Sequence, residues 1–338
     1  MHHILQTGLH RCFDSDGQEQ PCRGSGQDGE FGTGHPWPEP RFRHQGENLV
    51  HDLATNLTWS RDANLFSYPM TWQEGLEAVA SLNNDRYGGR SDWRLPNRRE
   101  MRSLISHGAR KPALPDHPFD NVFLSWYWTS TSAARAPGYA WYVHMEGGRM
   151  FYGRKDSYYL VWPVCGSSTV LAQTGQQLCY NHQGEKMDCV TSGQDGALLQ
   201  GTVWPSPRFC SNKDGVLDML TGLIWAKEAD ITTAPASWEE ALAAAGYLAA
   251  KSNKPWRLPT INELESLVDA SSHSPALPED HPFVSVREAY WSSTTSFFET
   301  DWAYVLYMHK GAVGVGYKKN RDFAVWPVLK PENDGAAA

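Results

Sequence analysis

No stretch of this 338-residue chain approaches the roughly 18 consecutive apolar residues that would cross a bilayer, so no transmembrane helix is expected. Positive charge is also short. Thirty Lys and Arg against 38 Asp and Glu leave a net charge of −8, the wrong sign for a general nucleic-acid binder, although local basic patches remain open. The signatures of common chemistries are missing too: there is no Gly-x-Ser-x-Gly, no His-Glu-x-x-His, no P-loop and no dinucleotide fingerprint, so the chain is read as non-catalytic and no cofactor is implied. Cys-x-x-Cys and paired Cys/His spacings are absent, which argues against a zinc site, and no metal is assigned. The opening MHHILQTGLHRCF lacks a charged segment followed by an apolar core and so reads as carrying no secretory leader. The cysteines point the other way. Cys12 and Cys22 lie ten apart, as do Cys179 and Cys189 in the same setting, which suits local disulfides of an exported protein. The chain is therefore read as a mature, exported form, extracellular, cell-surface or periplasmic.

Aromatics are plentiful. Fifteen Trp, 14 Tyr and 12 Phe beside 29 Gly and 21 Pro suggest loop-rich domains whose irregular segments are pinned by large rigid side chains. The chain is also written twice. Cys12, Cys22, Gly26-Gln27-Asp28-Gly29 and Pro40-Arg41-Phe42 recur 167 residues later; Trp59 and Trp72 recur at 166, Trp93 and Trp128 at 163, and Val161-Trp162-Pro163-Val164 at 164. Two units of this length predict tandem domains at 1–166 and 167–330 with a tail at 331–338, rather than a solenoid.

Each copy reads as the same series of elements. A short strand ends in Trp59 or Trp225. A helix follows, opened by Thr71 with Glu74 or Ser237 with Glu240, the spacing of a capping box. A second helix follows Trp-Arg-Leu-Pro: Asn97 with Glu100, or Thr260 with Glu263, caps it, and Pro96 or Pro259 stops helix from forming upstream. Arg94 and Arg257 are read as structural hydrogen bonders rather than ligand contacts. The last third is strand and turn, with hairpins expected at Gly147-Gly148 and around Gly311. Two helices and a small, mainly antiparallel sheet per copy make the fold class α+β.

Few residues stand out for chemistry. Thr129-Ser130-Thr131-Ser132 has no base at a recognisable spacing. His117 and His281, each in His-Pro-Phe, read as turn-holding. Asp28 and Asp195 between glycines could meet a hard cation, but an Asx-type turn is the preferred reading. The candidate ligand cluster follows the hairpin: Tyr152, Arg154, Lys155, Tyr158 and Tyr159 in the first copy, Tyr317, Lys318, Lys319 and Arg321 in the second. Cations beside aromatic faces suit sulfated or acidic sugars; a solvated hairpin edge is the competing reading. Cys165 and Cys210 break the symmetry of the repeat and have no partner within their own copies. A Cys165–Cys210 disulfide joining the domains is expected.

The pattern PRF, LTW, TWQEGLEAVASLN, DWRLPNRREMRSLI, HPF, YWTSTS, AWYV and VWPV resembles the Lcl C-terminal domain family, named for the end domain of bacterial collagen-like adhesins. The resemblance covers nearly the whole chain twice. It implies an exported bacterial domain with a surface-adhesion role, the best-known member binding sulfated polysaccharide. Trp-Arg-Leu-Pro before a capped helix also resembles the formylglycine-generating enzyme group, which implies two C-type-lectin-like domains. That group's reactive cysteine pair has no counterpart here, nor have the Glu-Pro-Asn or Gln-Pro-Asp calcium triplets of sugar-binding C-type lectins. The function expected is adhesion or recognition of a glycan or other extracellular polymer. A structural subunit of a self-associating fibre or filament is the alternative, and an enzyme of the formylglycine-generating type the third.

Overall fold

The structure, a computed structural model, describes residues 3–330, so the expected tail at 331–338 lies outside the described residues. Helices are few, and among the described residues none is long and apolar enough to cross a membrane. Besides the four-residue helices Asp28–Phe31 and Asp195–Leu198 of the cysteine loops, each copy has one long helix, Trp72–Asn84 or Trp238–Ser252, and one short one, Arg98–Ser103 or Ile261–Ser266. The last four all begin in complete capping boxes: the side chain at Thr71, Asn97, Ser237 or Thr260 accepts the backbone N–H three residues on, and the glutamate there accepts the N–H of the cap residue. The long helices bury Trp72, Leu76 and Val79, or Trp238, Ala241 and Ala245.

The repeated Trp-Arg-Leu-Pro now has a physical reason. The capping glutamate of the short helix is used twice. Glu100 holds the Asn97 N–H at 2.9 Å and Arg94 at 2.5 Å; Glu263 holds the Thr260 N–H at 2.8 Å and Arg257 at 2.6 and 2.7 Å. These pairs are buried, so the arginine neutralises a carboxylate that the cap would otherwise strand in the core. Backbone bridges to Val164 and Val328 then tie each arginine to its closing strand. A second buried clamp comes from Pro-Arg-Phe: Arg41 grips Asp52 at 2.9 and 2.8 Å and the Ser103 carbonyl, and Arg208 grips Asp218 and the Ser266 carbonyl.

Each copy builds a four-stranded antiparallel sheet, Phe42–His44, Leu49–Asp52, Leu57–Ser60 and Val164–Cys165 in the first, Phe209–Asn212, Gly215–Asp218, Ile224–Trp225 and Val328–Leu329 in the second. Each cysteine loop holds a two-stranded sheet of its own, Cys12–Phe13 with Glu19–Gln20 or Cys179–Tyr180 with Lys186–Met187, but the other strands do not stay within one copy. Trp126–Ser132, Tyr139–His144 and Met150–Arg154 join Ala312–Tyr317, Trp302–Tyr307 and Tyr290–Thr295 in one six-stranded antiparallel sheet. The join pairs Met150 with Val313, which are equivalent positions of the repeat, so a pseudo-twofold axis passes through the middle of the sheet. The hairpins turn where expected, on left-handed Gly147, Gly148 and Gly311.

The axis also exchanges the cysteine loops. The first loop, residues 3–36, docks on the second copy: Thr294 donates to Asp28, Lys318 to the Phe13 and Asp14 carbonyls, and Asn262 to the Leu5 carbonyl. The second loop, residues 168–204, docks on the first copy: Thr131 donates to Asp195, and Lys155 to the Tyr180 and Asn181 carbonyls. The division at 166/167 thus follows the repeat in sequence, while each loop completes the other copy in space.

Disulfides close Cys12–Cys22 and Cys179–Cys189, with Cα atoms 5.2 and 5.3 Å apart. The expected Cys165–Cys210 bridge is corrected: both thiols are free. Each sits in a strand of its own copy's four-stranded sheet, Cys165 opposite Thr58 and Cys210 opposite Leu217, and those sheets are separate. Contact between the copies is made by the six-stranded sheet, the short helices and the exchanged loops instead.

Candidate recognition surface

The same buried polar chain holds each exchanged loop. The first amide of the short helix, Arg98 N–H, donates to Thr131 Oγ1 at 3.0 Å; Thr131 donates to Asp195 Oδ2 at 2.7 Å, which also accepts Thr174 at 2.7 Å. In the other half Ile261 N–H donates to Thr294 and Thr294 to Asp28, at 3.1 and 2.7 Å. Burial raises Asp28 to about 7 and Asp195 to about 6, opposed by these hydroxyl hydrogen bonds. The aspartates are loop anchors, in place of the Asx-type turn expected of them. The hydroxyl run helps in this anchoring, since Thr129 to Ser132 are buried and the Ser132 N–H donates to Gln176 of the docked loop. His117 accepts the Phe119 N–H, and His281 stacks on Phe283.

Lys155 and Lys318 leave the candidate ligand set. They are 1% and 0% exposed. Lys155 Nζ lies 3.9 Å from the Trp72 ring centroid and Lys318 Nζ 4.0 Å from that of Trp238, each pointing at carbonyls of the exchanged loop. Burial pulls both down to about 7. A lysine close to tyrosines and arginines in sequence looks like a surface cation; here the tryptophan covers it and the docked loop supplies its acceptors. Tyr159 is also interior in character, edge-on to Trp128 at 4.8 Å.

The rest of the cluster lies at the surface beside the docked loops. Arg154, with 66% of its side chain exposed, forms a fork with Asp156 at 2.9 and 2.6 Å. Tyr152 stands edge-on to Tyr139 and Trp141, and Tyr158 is 64% exposed. Tyr139, Arg154 and Asp156 line an open cleft of about 470 Å³ whose opposite wall is His182, Gln183 and Gly184 of the second cysteine loop. Left-handed Gly184 is needed there, since a Cβ would fall 2.8 Å from the Gly138 nitrogen. At the equivalent place in the other half, Tyr317 packs on Trp302 at 5.6 Å, Lys319 pairs with Asp16 of the first loop, and Arg321 pairs with Glu240. Every exposed cation of the cluster thus has a carboxylate partner. Cysteine spacing and the aromatic hairpin mark these places in the sequence, and Asp156 lies two residues from Arg154, but nothing local marks Asp16 or His182, because only the exchange brings loop and hairpin together.

The model of the family described as Lcl C-terminal domain matches residues 48–165 and again residues 214–329. Both matches begin downstream of the cysteine loops. No curated protein matches the chain.

Proposed function

We propose, from the premise that this chain belongs to the Lcl C-terminal domain family and carries two tandem copies of its domain, that it is an exported, non-catalytic surface recognition protein of adhesin type. In this reading each half is a C-type-lectin-like domain, and the ligand is a glycan or another extracellular polymer. Two local disulfides and the lack of a membrane-crossing helix among the described residues are consistent with an extracellular soluble protein. The observation that carries the reading is the cleft at Tyr139, Arg154, Asp156 and His182. Tyr139 offers a stacking face, and the Arg154–Asp156 fork presents donors and acceptors side by side, which suits vicinal hydroxyls. Because Asp156 already neutralises Arg154, a polyanion would have to displace a carboxylate, so a polyhydroxylated ligand is favoured over a highly sulfated one.

A glycan array tests this, probed with the intact chain and with Arg154→Ala and Tyr139→Ala. Binding that falls about tenfold or more in both variants and changes little with added salt is expected, since stacking and neutral hydrogen bonds are not screened. No bound glycan, or binding indifferent to both variants, overturns it. The alternative, a subunit of an extracellular fibre, has its own support: Leu178, Met187, Val190, Leu199 and Val203 of the second loop segment are large, apolar and exposed, whereas Phe31 alone is so on the first. Light scattering that finds concentration-dependent growth, abolished by Val190→Asp and Val203→Asp, would favour it.

A further inference from the structure

The pseudo-axis brings the two short helices together, and equivalent positions face each other across it. Arg102 meets Glu265, its own counterpart in the repeat, with Nε to Oε2 at 3.0 Å. The neighbouring positions do not balance: the first helix supplies Arg98 and Arg99 where the second supplies Ile261 and Asn262. Three guanidinium groups therefore share one carboxylate. Arg41 and Arg208 nearby are neutralised by Asp52 and Asp218, and Asp195, the other carboxyl acting on Arg98, is held largely by threonine hydroxyls. Burial is deep, with side-chain exposures of 2% for Arg98, 3% for Arg102 and 10% for Glu265. Backbone carbonyls take part of the donor capacity: Gly311 for Arg98, Gly148 for Arg102, and Ser266 and Val268 for Arg99. Arg98 Nη1, Arg102 Nη2 and Glu265 Oε1 are buried with no hydrogen-bond partner, the last lying 3.7 Å from Arg98 Nη2.

A cavity of about 60 Å³ lies on this seam. Its lining comes in equivalent pairs: Ile4 with Leu171, Leu5 with Ala172, Arg99 with Asn262, Arg102 with Glu265. Apolar side chains of both exchanged loops form one part of the wall, and the Arg99 and Arg102 guanidinium groups, the Asn262 amide and the Glu265 carboxylate another. The volume exceeds the roughly 15 Å³ that one water needs and suits a compact ion. Excess buried positive charge, unpartnered guanidinium nitrogen and a cavity bordered by the same arginine call for an anion.

We propose that the seam cavity binds a small oxyanion, a sulfate, phosphate or carboxylate group, held by Arg102 and Arg99 with Arg98 behind them, and that this ion ties the two copies and their exchanged loops together. It is independent of the glycan cleft. Calorimetric titration of the intact chain with sodium sulfate, phosphate and acetate tests it, with sodium chloride at matched ionic strength as reference. Saturable binding of one ion per chain is expected, about tenfold or more weaker in Arg99→Gln and several-fold tighter in Glu265→Gln, which removes the competing carboxylate. Near-ultraviolet circular dichroism checks that both variants fold. A short sulfated disaccharide distinguishes the source: competition with sulfate that is lost in Arg99→Gln assigns a polymer-borne group, and no competition assigns a free ion. Heats indistinguishable from chloride, or affinities unchanged in both variants, would show that the cavity holds water only and overturn the proposal.

Discussion

Where a cysteine loop meets a module, the two halves share their main contacts: lysine on tryptophan and on loop carbonyls, and threonine on aspartate. Where the short helices meet each other, they disagree, Arg98, Arg99 and Arg102 standing against Ile261, Asn262 and Glu265. The difference follows from position. The loop docks are made twice, once on each side of the axis, and each joins a loop residue to a different residue of the module. A residue on the axis faces its own copy, so two identical arginines there would repel in a buried place. Fusing both copies into one chain frees such positions to differ, and the Arg102–Glu265 pair uses that freedom.

The sharpest way to break the equivalence of the halves is to cut the arginine–capping-glutamate pairs. Glu100→Ala and Glu263→Ala should each cost about 3–5 kcal/mol, because a buried arginine is left uncompensated. Denaturant unfolding checks this, and costs differing by more than about half would show that the two caps are not equal. Next comes the exchange. Lys155→Met and Lys318→Met keep the packing on tryptophan but strand loop carbonyls, for about 2–4 kcal/mol each. Hydrogen exchange should show residues 3–36 released by Lys318→Met and residues 168–204 by Lys155→Met; release of the loop from the same copy instead would refute the exchange.

Removing one disulfide, as in Cys12→Ser with Cys22→Ser, should cost about 2–3 kcal/mol, the value for a short closed loop. The matching change at Cys179 and Cys189 should cost the same in a thermal melt. A pH slope offers a further check. Asp28 titrates at about 7 when folded against an ordinary 3.8, chiefly through burial. The folded state therefore holds a proton that the unfolded state has lost, and this contribution is full below about pH 4 and gone above about pH 7. Asp28→Asn carries no such proton. Its melting temperature should rise relative to that of the intact protein between about pH 5 and about pH 8, and a constant or falling difference would contradict the assignment.

Local rules are legible in the sequence because they act over three to ten residues. All four capping boxes, both short disulfides and the glycine turns follow from spacing and conformational preference, and each is present. The structural role of Arg94 and Arg257 is legible for the same reason, their partners lying six residues on. What fails depends on which copy a segment docks against, and a repeat makes both choices look alike. Lys155 and Lys318 pass for surface cations until the other copy's loop covers them. The leftover cysteines suggest a bridge by counting, a rule blind to the strands that hold them apart.

The exchange also fixes an order in time. Residues made early dock on residues made late: Phe13 waits for Lys318, 305 positions away, and Asp28 for Thr294, 266 positions away. Residues 168–204 meet a first copy whose strands and helices have already been made, while residues 3–36 must idle until the second copy has emerged. A ten-residue disulfide loop closes without distant help, so Cys12–Cys22 can shape the early segment during that wait. A nascent chain stopped short of residue 290 thus has a complete set of parts for its first half and a first loop that still lacks Thr294 and Lys318.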